Sequence, residues 1–271
     1  MPQSDSDKFT GAVPELYERY LVPMIFAPYA ADLARRAAAL QPARVLEMAA
    51  GTGALTRELA RLLPPQASIV ATDLNPPMLE RARTVGTSRP VDWQVANAMQ
   101  LPFDDGSFDL VVCQFGVMFF PDKPAAFAEA RRVLAPGGTL LFNVWDRIED
   151  NHFTAIVCEA LASMFPDDPP QFMTRTPHGY HRQAEIAGHL RQGGFLAAPA
   201  METLPETSTA ESARIAAVAL CQGTPLRPDL ESRGPDALQR ATDLCEQALA
   251  QAFGTGAIEA RMQAHVVAVV A

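Results

Sequence analysis

The chain is poor in positive charge, in paired cysteines and in long apolar runs. Its 22 Lys and Arg face 31 Asp and Glu, for a formal charge of −9. No basic tract offers the phosphate-neutralising surface that nucleic acid requires, so a nucleic-acid substrate is not expected. The four cysteines, Cys113, Cys158, Cys221 and Cys245, lie far apart, form no CxxC pair and each fall in an apolar run. They read as small buried hydrophobes in a reducing compartment. No apolar run approaches the roughly 20 residues that cross a bilayer, and the closing HVVAVVA reads as a buried strand. The opening MPQSDSDKFTG is polar and acidic and lacks the charged-then-apolar order of a secretory signal. A cytoplasmic location is therefore expected. No Cys/His cluster or HxxxH has metal-ligand spacing, so no metal is expected.

What the chain does have is apolar content, 48% of 271 residues, enough to bury one large domain or one domain with a cap. Residues 13–40 look helical, with breaks near Pro23 and Pro28. From residue 43 short apolar runs alternate with amphipathic stretches. Strands are expected at 43–50, 68–74, 91–98, 108–115 and 139–145. Between them, Leu55, Leu59, Leu62 and Leu63 recur at helical spacing until Pro64-Pro65. Asn75 can cap a helix with Pro76 at its first turn, and residues 123–134 form an amphipathic helix that APGG ends. This rhythm implies right-handed βαβ units and a doubly wound sheet.

After Asp146 the rhythm changes. Helices are expected at 151–165, over RQAEIAGHLRQGGF, over ESARIAAVALCQG and over PDALQRATDLCEQALAQAFG. The last carries an apolar stripe of Leu238, Ala241, Cys245, Leu249 and Ala252. A sixth strand is expected near 195–204, and ARMQAHVVAVVA closes as a strand. The chain thus divides into 1–146 (N-terminal helices and a core), 147–257 (a helical cap with one sheet strand) and 258–271 (a strand returning to the core). No internal repeat is present.

The stretch LEMAAGTGALT, residues 46–56, forms the first strand-to-helix turn. Ligands of open parallel sheets bind at the carboxyl ends of the strands. Gly51 and Gly53 let the backbone approach a ligand, and the following helix aims its free N–H groups there. A P-loop is excluded, because no Lys-Ser or Lys-Thr follows the glycines. A dinucleotide turn wants GxGxxG, and Thr56 stands where its third glycine should be. S-adenosylmethionine has no pyrophosphate but does have a ribose diol. Asp73, 20 residues past Gly53, can accept hydrogen bonds from ribose hydroxyls in either of these last two.

Further on, VANAMQLPFDDGSFDLVVCQFGVMFF and RRVLAPGGTLLF follow VLEMAAGTG…ATDLNPPML. In this order and spacing, residues 40–146 resemble the class I S-adenosylmethionine-dependent methyltransferases, and among them the small-molecule enzymes like those of ubiquinone/menaquinone biosynthesis. The resemblance implies a Rossmann-like, doubly wound, mostly parallel seven-stranded sheet with helices on both faces, whose last strand is antiparallel. It implies that Glu47 holds the cofactor's amino group. It matches Ala49, Gly51 and Gly53 to the family's GxGxG turn, Asp73 to the ribose acid and Leu74 to a flank of the adenine. Asn97 matches an Asp that accepts from the adenine amine, and Ala98 would offer its N–H to the ring. Gln114 would lie beside the methionine part, with Met78 and Met99 completing the site.

Two positions depart from the pattern. Ala49 replaces a glycine, so a negative φ is expected there. Asn97 replaces an Asp, so its bond to adenine should be weaker.

Tyr20, in the N-terminal segment with Tyr17 and Tyr29, is a candidate for the cofactor's carboxylate. Phe115, Met118, Phe119 and Trp145 are candidates for an apolar acceptor pocket. His152, His178 and His181 fall in the variable region, where any could act as a general base; His189 reads as a surface residue and His265 as structural. The chain therefore reads as a methyltransferase acting on a small apolar or aromatic molecule, at oxygen, nitrogen or carbon. An NAD(P)-dependent oxidoreductase and a cofactor-binding sensor without transfer activity are the alternatives. The acceptor's identity and a homodimer both stay open.

Overall fold

A computed structural model of the chain describes Phe9 and residues 11–271. The expectation for residues 1–8 and Thr10 lies outside the described residues. One helical run opens the fold: α1 (Val13–Leu16), a π-helical stretch (Tyr17–Phe26) and α2 (Ala27–Ala39). Pro23 does not break it. The wider π turns, closed by Ala27 N–H on the Val22 carbonyl, absorb the proline's missing donor. Pro28 sits in the first turn of α2, where it is tolerated.

The alternation expected from the sequence follows. It runs β1 (Arg44–Glu47), α3 (Ala54–Leu62), β2 (Ser68–Asp73), α4 (Pro76–Val85), β3 (Asp92–Val95), β4 (Phe108–Gln114), α5 (Lys123–Val133) and β5 (Leu134–Trp145). APGG is not the loop that ends α5. It lies inside β5 as a bulge, since Phe108 pairs with Leu134 but Leu110 pairs with Thr139. The LPFDDGS segment before β4 is held by Arg132 of α5, which donates to the carbonyls of Phe103 (2.7 Å) and Leu101 (2.9 Å).

The remainder is α6 (His152–Met164), α7 (Phe172–Arg175), α8 (Gln183–Gln192), β6 (Ala200–Ala210), α9 (Ala213–Gln222), α10 (Leu226–Ser232), α11 (Ala237–Phe253) and β7 (Ile258–Val270). The sixth strand starts at residue 200, not 195. Before it, Phe195 turns back on α8 through its N–H to the Leu190 carbonyl and is buried. On α11, Ala241, Cys245 and Leu249 are buried, but Ala252 is exposed because the helix outruns its partners there.

The seven strands form one sheet in the order β3-β2-β1-β4-β5-β7-β6. β7 is antiparallel to both neighbours, and the other pairs are parallel. Leu33 and Ala37 of α2 with Leu55 and Leu59 of α3 cover one face of the sheet. α5, α6, α8, α9 and α11 contribute to the larger core cluster. The strand order reverses between β1 and β4, which is where doubly wound sheets bind ligands.

Candidate functional site

The turn after β1 is built at that reversal. Met48 N–H bonds the Val112 carbonyl of β4 at 2.8 Å, and Ala50 N–H bonds the Thr72 carbonyl of β2 at 2.9 Å. From between these anchors onward the backbone is left-handed at alternate residues: Ala49 φ is 53°, Gly51 57° and Gly53 84°. The negative φ expected at Ala49 is therefore wrong. The two flanking strands pin the turn too tightly for an extended residue, and alanine takes up the left-handed conformation at a cost of about 1–2 kcal/mol. Gly116 makes room for the methyl group: a Cβ added there would stand 2.5 Å from the Ala49 Cβ.

Asp73, at the end of β2, shapes the turn. Its Oδ2 accepts the Gly51 N–H at 2.8 Å, and its Oδ1 accepts Asn75 N–H (2.8 Å) and Asn75 Nδ2 (3.1 Å). Asn75 begins α4 as expected, but its side chain points at Asp73 and caps nothing. Burial pushes the Asp73 carboxyl up, and the bonds from Asn75 and Gly51 oppose that. A carboxylate offers about four acceptor positions. Three are used, so Oδ2 keeps one for a ligand.

These residues border a cavity of about 950 Å³, with Ala49, Gly51, Asp73, Leu74, Met78, Asn97, Ala98, Met99 and Gln114 all in its wall. At its far side Gln114 Nε2 donates to the Phe26 carbonyl (3.1 Å), and its Oε1 is buried without a partner among the described residues. Asn97 Oδ1 accepts Met99 N–H at 2.9 Å, which leaves one lone pair and the amide donors for a ligand.

Three expected site residues are not in this wall. Gly53 serves packing, since a Cβ there would meet the Trp93 ring at 3.0 Å. Tyr20 instead lies against Arg19, 5.1 Å from guanidinium to ring centre. Tyr17 reaches the cavity in its place. It is carried there by the Glu18–Arg57 ion pair (2.7 Å), which ties the helical run to α3. Burial, with Asp73 and Glu18 nearby, raises the Tyr17 hydroxyl's pKa and keeps it protonated. Tyr29 is core, bonded to the Leu204 carbonyl at 3.1 Å.

Glu47 is the third. It is buried beneath the turn and accepts Thr56 Oγ1 at 2.6 Å. Burial pushes its carboxyl up to about 8 from an ordinary 4.5, partly offset by Thr56 and Arg57. A raised folded-state value favours folding below the unfolded value and loses that contribution as pH rises to the folded one. The ligand-free protein should therefore lose stability between about pH 4.5 and 8. Urea midpoints at pH 5 and 8 should differ less in Glu47→Gln than in the parent. Equal slopes would mean that Glu47 is charged throughout.

A second cavity, about 700 Å³, adjoins the first. Phe9, Tyr17, Phe115 and Phe119 line both. Phe115 is held at φ 50°, its N–H on Asn143 Oδ1 at 2.9 Å, and its ring stacks on Trp145 at 3.9 Å. Strain of this kind persists only where surrounding structure over-determines it, commonly at functional sites. Trp145, Phe153, Phe172 and Met173 continue the apolar wall. Met118 does not reach it and is core.

Of the three candidate histidines, only His178 lines a cavity. Its Nδ1 stands 2.8 Å from the Asp146 carbonyl. A carbonyl only accepts, so Nδ1 carries the proton and Nε2 is the acceptor nitrogen. Burial holds the ring's pKa down to about 4, partly opposed by the Asp146 bond. His181 Nδ1 bonds the His178 carbonyl at 2.8 Å, and His152 is exposed at the start of α6. His189 is not a free surface group, because it stacks on Tyr180 and bonds its hydroxyl at 3.0 Å. His265 is structural as expected, between Asp146 (3.2 Å) and Thr203 (3.0 Å).

Sequence reasoning missed Phe9, Thr72 and Gly116. The glycine in FGVMFF, just past a strand end, was the available signal for the last.

Residues 46–142 match the family model described as a methyltransferase domain. Residues 46–142 therefore form a methyltransferase domain. Over 103 residues this domain is 43% identical to the ubiquinone/menaquinone biosynthesis C-methyltransferase of Hahella chejuensis. That match covers 36% of this chain and 41% of the relative, so the shared stretch is under half of either.

Solved structures extend the fold likeness across the chain. A putative methyltransferase from Bacillus halodurans is similar over 89% of this chain and 97% of its own, at 20% identity and TM-score 0.56. A phosphoethanolamine N-methyltransferase 2 from Haemonchus contortus, solved with phosphomonomethylethanolamine and S-adenosylhomocysteine, is similar over 98% of this chain and 60% of its own, at 17% identity and TM-score 0.61.

The first cavity offers groups that fit S-adenosylmethionine. The unpartnered Gln114 oxygen suits a cationic amine, the spare Asp73 acceptor suits a ribose hydroxyl, and Leu74 and Met78 give apolar flanks. Among the described residues no group of three or more His, Cys, Asp or Glu could hold a metal, and no helix is long and apolar enough to cross a membrane.

Proposed function

We propose that the protein transfers a methyl group from S-adenosylmethionine to a small apolar or aromatic molecule, at oxygen, nitrogen or carbon. The observation that carries this reading is the pair of adjoining cavities. The polar one suits the cofactor, the aromatic one suits an acceptor, and Tyr17, Phe115 and Phe119 stand in the wall of both. The bound cofactor supplies a methyl group on a cationic sulfur, already activated for in-line displacement. The chain's own work is alignment and exclusion of water. Tyr17, Phe26, Phe115 and Trp145 form a continuous ring contact, with centroids 3.9–6.0 Å apart, that keeps the junction apolar.

S-adenosylhomocysteine at about 100 times its Kd should stabilise the protein by about 2.7 kcal/mol, a rise in Tm of about 5–10 °C for a chain of this length. NAD should give no shift. The reverse pattern would sink the methyltransferase reading in favour of an oxidoreductase. Formation of S-adenosylhomocysteine with a pool of small aromatic acceptors then separates an enzyme from a sensor without transfer activity.

A further inference from the structure

The aromatic cavity has few polar groups, and some of those it has are already engaged. Asn151 spends its amide on the Arg147 and Gln263 carbonyls (3.0 and 3.2 Å) and its Oδ1 on Gln263 N–H (3.1 Å). Thr224 donates to the Leu220 carbonyl (2.7 Å) and accepts Leu226 N–H (3.2 Å). Arg261 is turned to Gln263 and Asp150.

Besides the hydroxyls of Tyr17 and Thr154, the wall holds His178 and Ser208. His178 is 5% exposed, and the Asp146 carbonyl fixes its tautomer so that Nε2 is the acceptor. Ser208 of β6 is 2% exposed, and its Oγ is buried with no hydrogen-bond partner. An unsatisfied buried hydroxyl is costly to stability and calls for an explanation. Both residues lie outside the segment that matches the methyltransferase family model, residues 46–142.

We propose that His178 and Ser208 select the methyl acceptor: it is an apolar ring system that carries a hydroxyl, whose O–H donates to His178 Nε2, and a second oxygen that bonds Ser208 Oγ. Trp145 supports this geometry, since its ring stacks on Phe115 at the cofactor side and stands 6.0 Å from the His178 ring on the other. An aromatic molecule packed along that wall has its rings against Trp145 and its polar substituents within the reach of the two side chains. A neutral imidazole acceptor favours a hydroxyl over a carboxylate or phosphate, because it has no donor left to offer an anion. The same buried acceptor left unpaired disfavours a bare hydrocarbon.

The proposal rests on the methyltransferase reading, and binding separates the two. Biphenyl, 4-phenylphenol and the dihydroxybiphenyl isomers are titrated by calorimetry into the full chain loaded with S-adenosylhomocysteine. In the parent, 4-phenylphenol should bind about 3–10-fold tighter than biphenyl, as one neutral hydrogen bond allows. The best dihydroxybiphenyl should gain a similar factor again. His178→Asn keeps a donor for the Asp146 carbonyl and removes Nε2. It should lose the first gain while leaving biphenyl affinity and the S-adenosylhomocysteine thermal shift unchanged. Ser208→Ala should raise Tm by a few degrees, since it deletes an unsatisfied group, and should lose only the second gain.

A parent that binds biphenyl as tightly as 4-phenylphenol overturns the proposal, whether or not the variants fold. An undiminished first gain in His178→Asn also overturns it. Absence of any S-adenosylhomocysteine shift is a different failure, that of the methyltransferase reading itself.

Discussion

Asp73→Ala abolishes the thermal shift that S-adenosylhomocysteine gives the parent: this is the largest expected effect on binding. Two losses combine. The ligand loses a charged acceptor on its ribose side, where hydrogen bonds to ionised groups contribute about 1.5–3 kcal/mol each. The turn loses the bond from Gly51 N–H to Asp73 Oδ2 (2.8 Å) that holds its left-handed path. Affinity should fall by at least about 100-fold, since each 1.4 kcal/mol is a factor of ten. Asp73→Asn separates the contributions. Its Oδ1 can still accept from Gly51, so the turn survives and only the charge is lost. Calorimetry with S-adenosylhomocysteine should rank parent above Asn above Ala. An unchanged shift in Asp73→Ala would mean that the ribose lies elsewhere.

Gly116→Ala gives the largest expected effect on folding. The backbone itself tolerates alanine, at φ −97° and ψ −35°. The added Cβ would stand 2.5 Å from the Ala49 Cβ and 2.7 Å from Cys113 Sγ, both too close for real atoms. Overpacking a tight site of this kind costs about 1–3 kcal/mol. Part of that strain falls on the turn, so S-adenosylhomocysteine affinity should drop with stability.

Ala49→Gly acts in the opposite sense. It removes the left-handed penalty of about 1–2 kcal/mol, less the extra chain entropy of glycine in the unfolded state, about 0.4–1 kcal/mol. Alone it should be neutral or mildly stabilising. Combined with Gly116→Ala it should recover part of the loss, and Cys113 Sγ keeps the recovery incomplete. Urea denaturation of the four proteins gives the coupling directly. Strict additivity would mean that the two Cβ atoms do not compete for one space.

The βα rhythm was legible because each signal is local. Apolar runs of four to seven residues became β1, β2, β4 and β5, and leucine spacing became α3. The switch point followed from the strand order that such units adopt. Asp73 was legible because its distance from the glycines is a property of one βαβ unit. Leu74, Met78, Asn97, Ala98, Met99 and Gln114, all close in sequence to strand ends, line one cavity for the same reason.

What failed depended on pairs far apart in sequence. The conformation of Ala49 is decided by Val112 and Thr72 on either side and by the space that Gly116 leaves. Tyr17, not Tyr20, faces the cavity because Glu18 is anchored to Arg57, 39 residues away, and a π-helical stretch sets the phase of that face. Three histidines looked alike in the sequence, and only one lines a cavity, turned there by a carbonyl at the end of β5.

The sequence by itself determined the sheet and the switch point, because strand, turn and capping preferences act over a few residues, and its resemblance to the class I methyltransferases implied the kind of cofactor. Only the tertiary structure decided which aromatic rings separate the two cavities, which tyrosine and histidine reach them, and which hydroxyl is left without a partner. Those outcomes follow from packing between elements tens to hundreds of residues apart, where one added Cβ changes the result.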